Sequence, residues 1–167
     1  HVVTSVLATQ ARGMMACVKH FPGHGDTQTD SHLELPVVEK ERPDVEDTEL
    51  VPFKAAIQAG VAMVMGAHVV FPDYDDKPAT LSHKLLHQVL REELGHTGLV
   101  VSDDMEMKAI HGRFELPKTL ELSTRAGMDI YLFCKDQGLQ VAAYEELVRL
   151  QEQEMAMDIR AEDSEKR

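Results

Sequence analysis

Short apolar runs alternate with amphipathic stretches along most of the chain. Met14-Met15-Ala16-Cys17-Val18, Val61-Ala62-Met63-Val64-Met65, Leu99-Val100-Val101 and Met128-Asp129-Ile130-Tyr131-Leu132-Phe133-Cys134 each predict a strand. Three of these runs are apolar throughout, as strands covered on both faces of a parallel sheet require. Gly13, Gly60, Gly98 and Gly127 stand just before the runs, where glycine ends a preceding helix at no Cβ cost. Helical spacing fills the gaps. Glu49–Ala59 follows Thr48, a predicted N-cap, with Pro52 in its first turn. Ser82–Leu94 carries an apolar stripe of Leu85, Leu86, Val89, Leu90 and Leu94, with Ser82 as cap and Gly95 as stop. Lys118–Ala126 and Leu139–Glu154 complete the set. After Met157 the sequence turns polar, which predicts a frayed tail over 158–167.

Strand and helix alternating at this spacing imply βαβ units, so the fold class is α/β. In such folds chemistry collects at the C-terminal ends of strands. The polar oddities do follow the runs: Lys19-His20 the first, Ala67-His68 the second, Ser102-Asp103-Asp104 the third and Lys135-Asp136 the fourth.

Composition narrows the function. The chain has 167 residues, enough for one domain with a real core. A net charge of −12, from 29 acidic and 17 basic side chains, argues against nucleic acid or an anionic membrane as partner. No apolar run approaches the roughly 20 residues needed to span a bilayer. Two cysteines, Cys17 and Cys134, cannot build a disulfide framework and are expected to be buried free thiols.

The densest chemistry lies in Lys19-His20-Phe21-Pro22-Gly23-His24-Gly25-Asp26-Thr27-Gln28-Thr29-Asp30-Ser31-His32. Three histidines, two aspartates and a lysine in a Pro/Gly-punctuated loop suggest function rather than mere connection. Asp30 and His32 are two residues apart, so in extended chain they share a face. A carboxylate there can accept one ring N–H of the imidazole and leave the other nitrogen for proton transfer, making His32 a candidate general acid/base. The bland alternative is two solvated side chains that never meet. His20, His24, Asp26, Asp30 and His32 also supply enough donors for a divalent ion, although they match no tight ligand spacing and Lys19 would repel a cation. Asp103-Asp104 ends the third predicted strand, where adjacent carboxylates point to opposite faces. Asp103 can serve as a nucleophile or as a stabiliser of developing positive charge. Asp104 can instead cap a following helix over Met105–Ile110.

These segments together resemble glycoside hydrolase family 3, in its β-N-acetylhexosaminidase branch. The resemblance rests on Lys19–Thr27 with Asp30-Ser31-His32, on Gly66-Ala67-His68-Val69-Val70-Phe71-Pro72, on Pro78-Ala79-Thr80-Leu81-Ser82, on Leu90–Gly95 and on Val101-Ser102-Asp103-Asp104-Met105-Glu106-Met107. It implies a TIM-type barrel and a retaining exo-glycosidase that removes terminal β-linked N-acetylglucosamine, typically in peptidoglycan recycling. By the motif match Asp103 is the nucleophile, His32 the acid/base and Asp30 its support. Lys19 and His20 match residues that bind sugar hydroxyls, and His68 is expected to line the site. No metal or organic cofactor is implied.

A complete (β/α)₈ barrel takes about 250 residues, and only four strand–helix units are visible here. By motif order they resemble strands five to eight. Residues 1–157 therefore read as the C-terminal half of a catalytic barrel, and the missing N-terminal half is the expected partner. The chain begins at His1, and Val2–Met15 carries no signal-peptide pattern. A cytoplasmic location is expected from the cysteine usage and the recycling role. Three other readings stand beside the hydrolase: a glycoside phosphorylase of the same branch, a non-catalytic fragment and a metallohydrolase.

Overall fold

A computed structural model describes residues 1–27 and 34–165, with side chains through 154. Four strands form one parallel sheet: β1 (Cys17–Phe21), β2 (Met63–Gly66), β3 (Leu99–Asp104) and β4 (Ile130–Leu132). Their spatial order is β1-β2-β3-β4, the same as their order in sequence. A sheet that only adds strands on one side is the arrangement of a barrel wall, and it leaves β1 and β4 as edges. Register runs Val18↔Val64, Gly66↔Ser102 and Asp104↔Leu132, which brings the C-terminal ends of the strands to one rim.

Helices occupy the connections: α1 (Val2–Gln10), α2 (Arg42–Asp47), α3 (Leu50–Gln58), a π-helix (Lys84–Glu93), α4 (Leu116–Ala126) and α5 (Gln137–Glu165). The stripe Leu85, Leu86, Val89 and Leu90 of the π-helix is buried and joins Val64 and Val100 of the sheet in one core. Gly127 closes α4 at φ +99°, where a side chain would be strained. Gly98 has a different reason. A Cβ there would lie 2.3 Å from the Ala62 carbonyl, so glycine lets the turn before β3 pass the turn before β2.

Several local expectations change. The first strand begins at Cys17 rather than Met14, and Met14 and Met15 are exposed. Val2–Gln10 is helical despite its β-branched start, because Val6 is buried in the core against α3. Thr48 does not cap α3: its hydroxyl donates to the Asp44 carbonyl and closes α2 instead. Ser82 does act as a cap, accepting from the Leu85 N–H at 3.2 Å. No helix forms over Met105–Ile110, which is a series of turns. Cys17 is half-buried, but Cys134 is exposed beyond the end of β4, so only one thiol is sheltered. The last helix continues to Glu165, past the polar change at Met157.

Candidate active site

The rim formed by the strand ends carries the chemistry. His20 is the fourth residue of β1 and Asp103 the fifth of β3. Their side chains meet across the intervening strand, His20 Nε2 lying 3.5 Å from Asp103 Oδ2. Both are partly exposed, so the pair faces the open rim rather than the core. The other Asp103 oxygen accepts the Asp104 N–H at 2.9 Å, which fixes the carboxylate against its own backbone.

Asp104 turns away from Asp103. Its Oδ1 accepts the N–H groups of Glu106 at 3.1 Å and Cys134 at 3.3 Å. Glu106 Oε1 then accepts Lys135 N–H at 2.8 Å and Asp136 N–H at 3.0 Å. Asp104 and Glu106 thus lace the turns after β3 to the chain leaving β4. The expected helix cap is instead a turn and a strand-to-loop tie.

His68 lies just beyond β2 and is 0% exposed. Its Nε2 is 3.0 Å from the Asp104 carbonyl, which can only accept, so this nitrogen carries the proton. Burial lowers the His68 pKa, although the Asp104 carbonyl and the charges of Asp103 and Asp104 work to raise it. The ring is therefore neutral, and its Nδ1 accepts from the Thr80 hydroxyl at 2.8 Å. The same Thr80 hydroxyl also points at the Ala67 carbonyl at 2.9 Å, so its one proton is shared between two acceptors. Sequence reasoning missed Thr80 as a functional contributor, though it lies inside a motif that carries the family resemblance.

The loop after β1 is anchored from the side. The Lys19–His20 and Phe21–Pro22 peptide bonds are cis. Gly23 packs so closely on Glu49 that a Cβ would come within 2.5 Å of its Cγ. Lys40 bridges Glu49 at 2.6 Å and Asp26 at 3.0 Å, tying the loop to the start of α3. Burial works to raise the Glu49 carboxyl, but hydrogen bonds from Lys40 and Thr48 prevail and hold it below its ordinary range. His24 stacks edge-on to His20 with centroids 5.7 Å apart, and its Nδ1 lies 3.0 Å from Thr27 Oγ1. Neither Lys40 nor Glu49 stood out in the sequence, because an ion pair nine residues apart has no periodic signature.

The structure brings His20, His68 and Asp103 to one rim. Lys19 is exposed and borders a groove of about 500 Å³ beside β1, shared with Val6, Met15, Cys17 and Phe53. Asp30 and His32 lie outside the described residues. Among the described residues no group of three or more His, Cys, Asp or Glu is arranged to hold a metal ion, and two members of the ligand set considered from sequence, Asp30 and His32, fall outside them. Among the described residues no helix is long and apolar enough to cross a membrane.

The profile of the glycosyl hydrolase family 3 N-terminal domain matches residues 2–164. Beta-hexosaminidase from Nitrosomonas eutropha is 39% identical over 127 residues, covering 76% of this chain and 36% of that protein. Beta-hexosaminidase from Neisseria meningitidis serogroup C is 43% identical over 122 residues, covering 73% and 34%. The chain thus spans about a third of the length of these relatives. The family 3 beta-N-acetylglucosaminidase from Paenibacillus sp. str. FPU-7 superposes with a TM-score of 0.85 at 42% identity, over 88% of this chain and 28% of that one. NagZ from Neisseria gonorrhoeae, in complex with N-trifluoroacetyl-D-glucosamine, superposes with a TM-score of 0.68 at 42% identity, over 76% and 37%. With His20, His68 and Asp103 at the strand ends of a sequentially ordered parallel sheet and the profile matched over almost its whole length, the chain belongs to glycoside hydrolase family 3.

Proposed function

We propose that this chain carries the catalytic residues of a retaining exo-β-N-acetylglucosaminidase. The observation that supports this most is Asp103 near the end of β3, partly exposed, held by the Asp104 N–H and faced by His20. An aspartate fixed this way can attack an anomeric carbon. In the first step one Asp103 oxygen bonds to that carbon while the bond to the leaving oxygen breaks, and His32 donates its ring proton to that oxygen. In the second, water attacks the same carbon, gives a proton back to His32 and releases Asp103. Two displacements at one carbon restore its configuration. Asp30 is assigned to hold His32, and Lys19 and His20 to bind sugar hydroxyls.

The substrate class is a saccharide ending in β-linked N-acetylglucosamine. It is supported by the N-acylglucosamine bound to the Neisseria gonorrhoeae relative and by the names of the similar proteins. Peptidoglycan recycling in the cytoplasm is the setting this substrate suggests. The two sheet edges and the exposed Met14 and Met15 beside β1 support the reading that residues 1–157 form the C-terminal half of a barrel. Activity then requires the remaining strands.

The test is release of nitrophenol from 4-nitrophenyl N-acetyl-β-D-glucosaminide by the full-length protein carrying this chain. Asp103→Asn is expected to abolish turnover, and full activity in that variant removes Asp103 as nucleophile. His32→Ala is expected to cost least with this good leaving group and most with a poor one, since a stable leaving anion needs little protonation. Sugar 1-phosphate as the product in phosphate buffer would make the enzyme a phosphorylase.

A further inference from the structure

His68 is expected from sequence to line the sugar site, yet its environment suits another task. It is 0% exposed, and both ring nitrogens are engaged by groups of the protein. A side chain so enclosed has no atom to offer a sugar. Its contacts lead instead to Asp103. The Nε2–H holds the Asp104 carbonyl. The Asp104 carboxylate is held separately by two backbone N–H groups, from Glu106 and Cys134. Residue 104 is therefore fixed at its carbonyl and at its side chain. Its remaining polar group, the backbone N–H, is aimed at Asp103 Oδ1. Behind His68, the single Thr80 hydroxyl proton is shared between the ring and the Ala67 carbonyl, and the Ala67 N–H donates to the Phe21 carbonyl at 2.8 Å. The chain of contacts thus joins the ends of β1, β2 and β3.

We propose that His68 is a positioning residue: with Thr80 it locks the backbone of Asp104, and through it the Asp103 carboxylate, without touching substrate. The inference rests on the role proposed above for Asp103. The neutral state of the ring suits this task. The ionisable groups facing His68 are Asp103, Asp104 and His20. A charged imidazolium among them would draw on the Asp103 carboxylate and blunt its nucleophilicity. A neutral N–H donor fixes geometry and leaves that charge available.

The experiment compares His68→Met, His68→Gln and Thr80→Val in the full-length protein. Glutamine keeps one donor and one acceptor, whereas methionine has no N–H. His68→Met is expected to lower kcat by about 10- to 100-fold, the scale of a small misplacement of a reacting group, with KM little changed. His68→Gln should recover most of the loss, and Thr80→Val should lower kcat in the same direction even where His68→Met fails to fold. A raised KM at unchanged kcat, or a glutamine variant as impaired as the methionine one, overturns the proposal. If the parent hydrolyses no N-acetylglucosaminide, the proposed function fails, and ring-nitrogen NMR still tests the positioning. His68 should then be neutral and protonated at Nε2 at about pH 7, and should resist protonation below the ordinary histidine range, with the Asp104 amide protected from exchange and faster exchange in Thr80→Val. An imidazolium, an Nδ1–H tautomer or an unprotected Asp104 amide would refute it.

Discussion

His20 Nε2 stands 3.5 Å from Asp103 Oδ2, joining the end of β1 to the end of β3 across the strand between them. The two residues are 83 positions apart in sequence (103 − 20). In the proposed mechanism, a sugar bound at this rim meets a donor and a nucleophile that already constrain each other. Truncating His20 removes its contact to Asp103 and, in that mechanism, a hydroxyl-binding group as well. His20→Ala is expected to raise KM and lower kcat together, with kcat/KM down by about 100-fold. Steady-state kinetics on the nitrophenyl glycoside separate the two effects, and an unchanged kcat would restrict His20 to binding.

The buried histidines make stability depend on pH. Burial lowers the pKa of His68, and it lowers that of His96, which is 3% exposed with Nε2 3.2 Å from the Leu99 carbonyl. Both are neutral when folded and take up protons when unfolded. The unfolded state then binds more protons, so stability rises with pH. This contribution is fully present above about pH 6.5, the ordinary histidine value, and is lost as pH falls below it. Two such groups give a slope of at most about 2.7 kcal/mol per pH unit. Urea unfolding between pH 5 and 7.5 should show a decline on the acid side, and His96→Gln should reduce its slope. A flat profile would mean that neither ring is held neutral in the folded protein.

Gly23→Ala is expected to disturb the loop that follows β1 and its His20. The new methyl would fall 2.5 Å from Glu49 Cγ and 2.7 Å from its Cβ, too near the backbone of α3 to be relieved by a side-chain rotation. Moving Glu49 also breaks its bond to Lys40, which holds Asp26. Overpacking of this kind costs about 1–3 kcal/mol, measured as a shift in the urea midpoint. Lys40→Met should loosen the same loop without the steric clash, so an activity loss in Gly23→Ala that is absent from Lys40→Met would point to the clash alone.

Arg91 staples the far end of the sheet. Its guanidinium donates to the Gly98 carbonyl at 3.0 Å, the Gly127 carbonyl at 3.2 Å and Asp129 Oδ2 at 2.7 Å. The same Asp129 oxygen accepts the Val100 N–H at 2.7 Å. Arg91→Met removes three bonds at the start of β3 and β4 while leaving the rim untouched. A stability loss of about 2 kcal/mol with normal KM is expected. Lysine cannot reproduce the fork and should recover only part. Loss of kcat without loss of stability would place Arg91 in the catalytic machinery instead.

Much of this protein was legible as sequence. Four apolar runs and four amphipathic stretches marked the alternation of strand and helix, since burial on both faces of a strand and on one face of a helix leaves periods of its own. The motifs around His20, His68 and Asp103 pointed to the family. Periodicity could not mark α1, where the burial of Val6 overrides a β-branched start. Nor could it tell a capping Thr48 from one that closes the preceding helix.

Which residues touch was decided only by the tertiary structure. The order of the strands brings His20 to Asp103, turns Asp104 toward Cys134 and encloses His68 behind them. The chain's spacing fixes what each element buries, whereas contact between side chains dozens of residues apart is set by register and by the direction each strand end faces. That is why a histidine read from its motif as a sugar contact lies in the core, with its ring proton directed at the backbone.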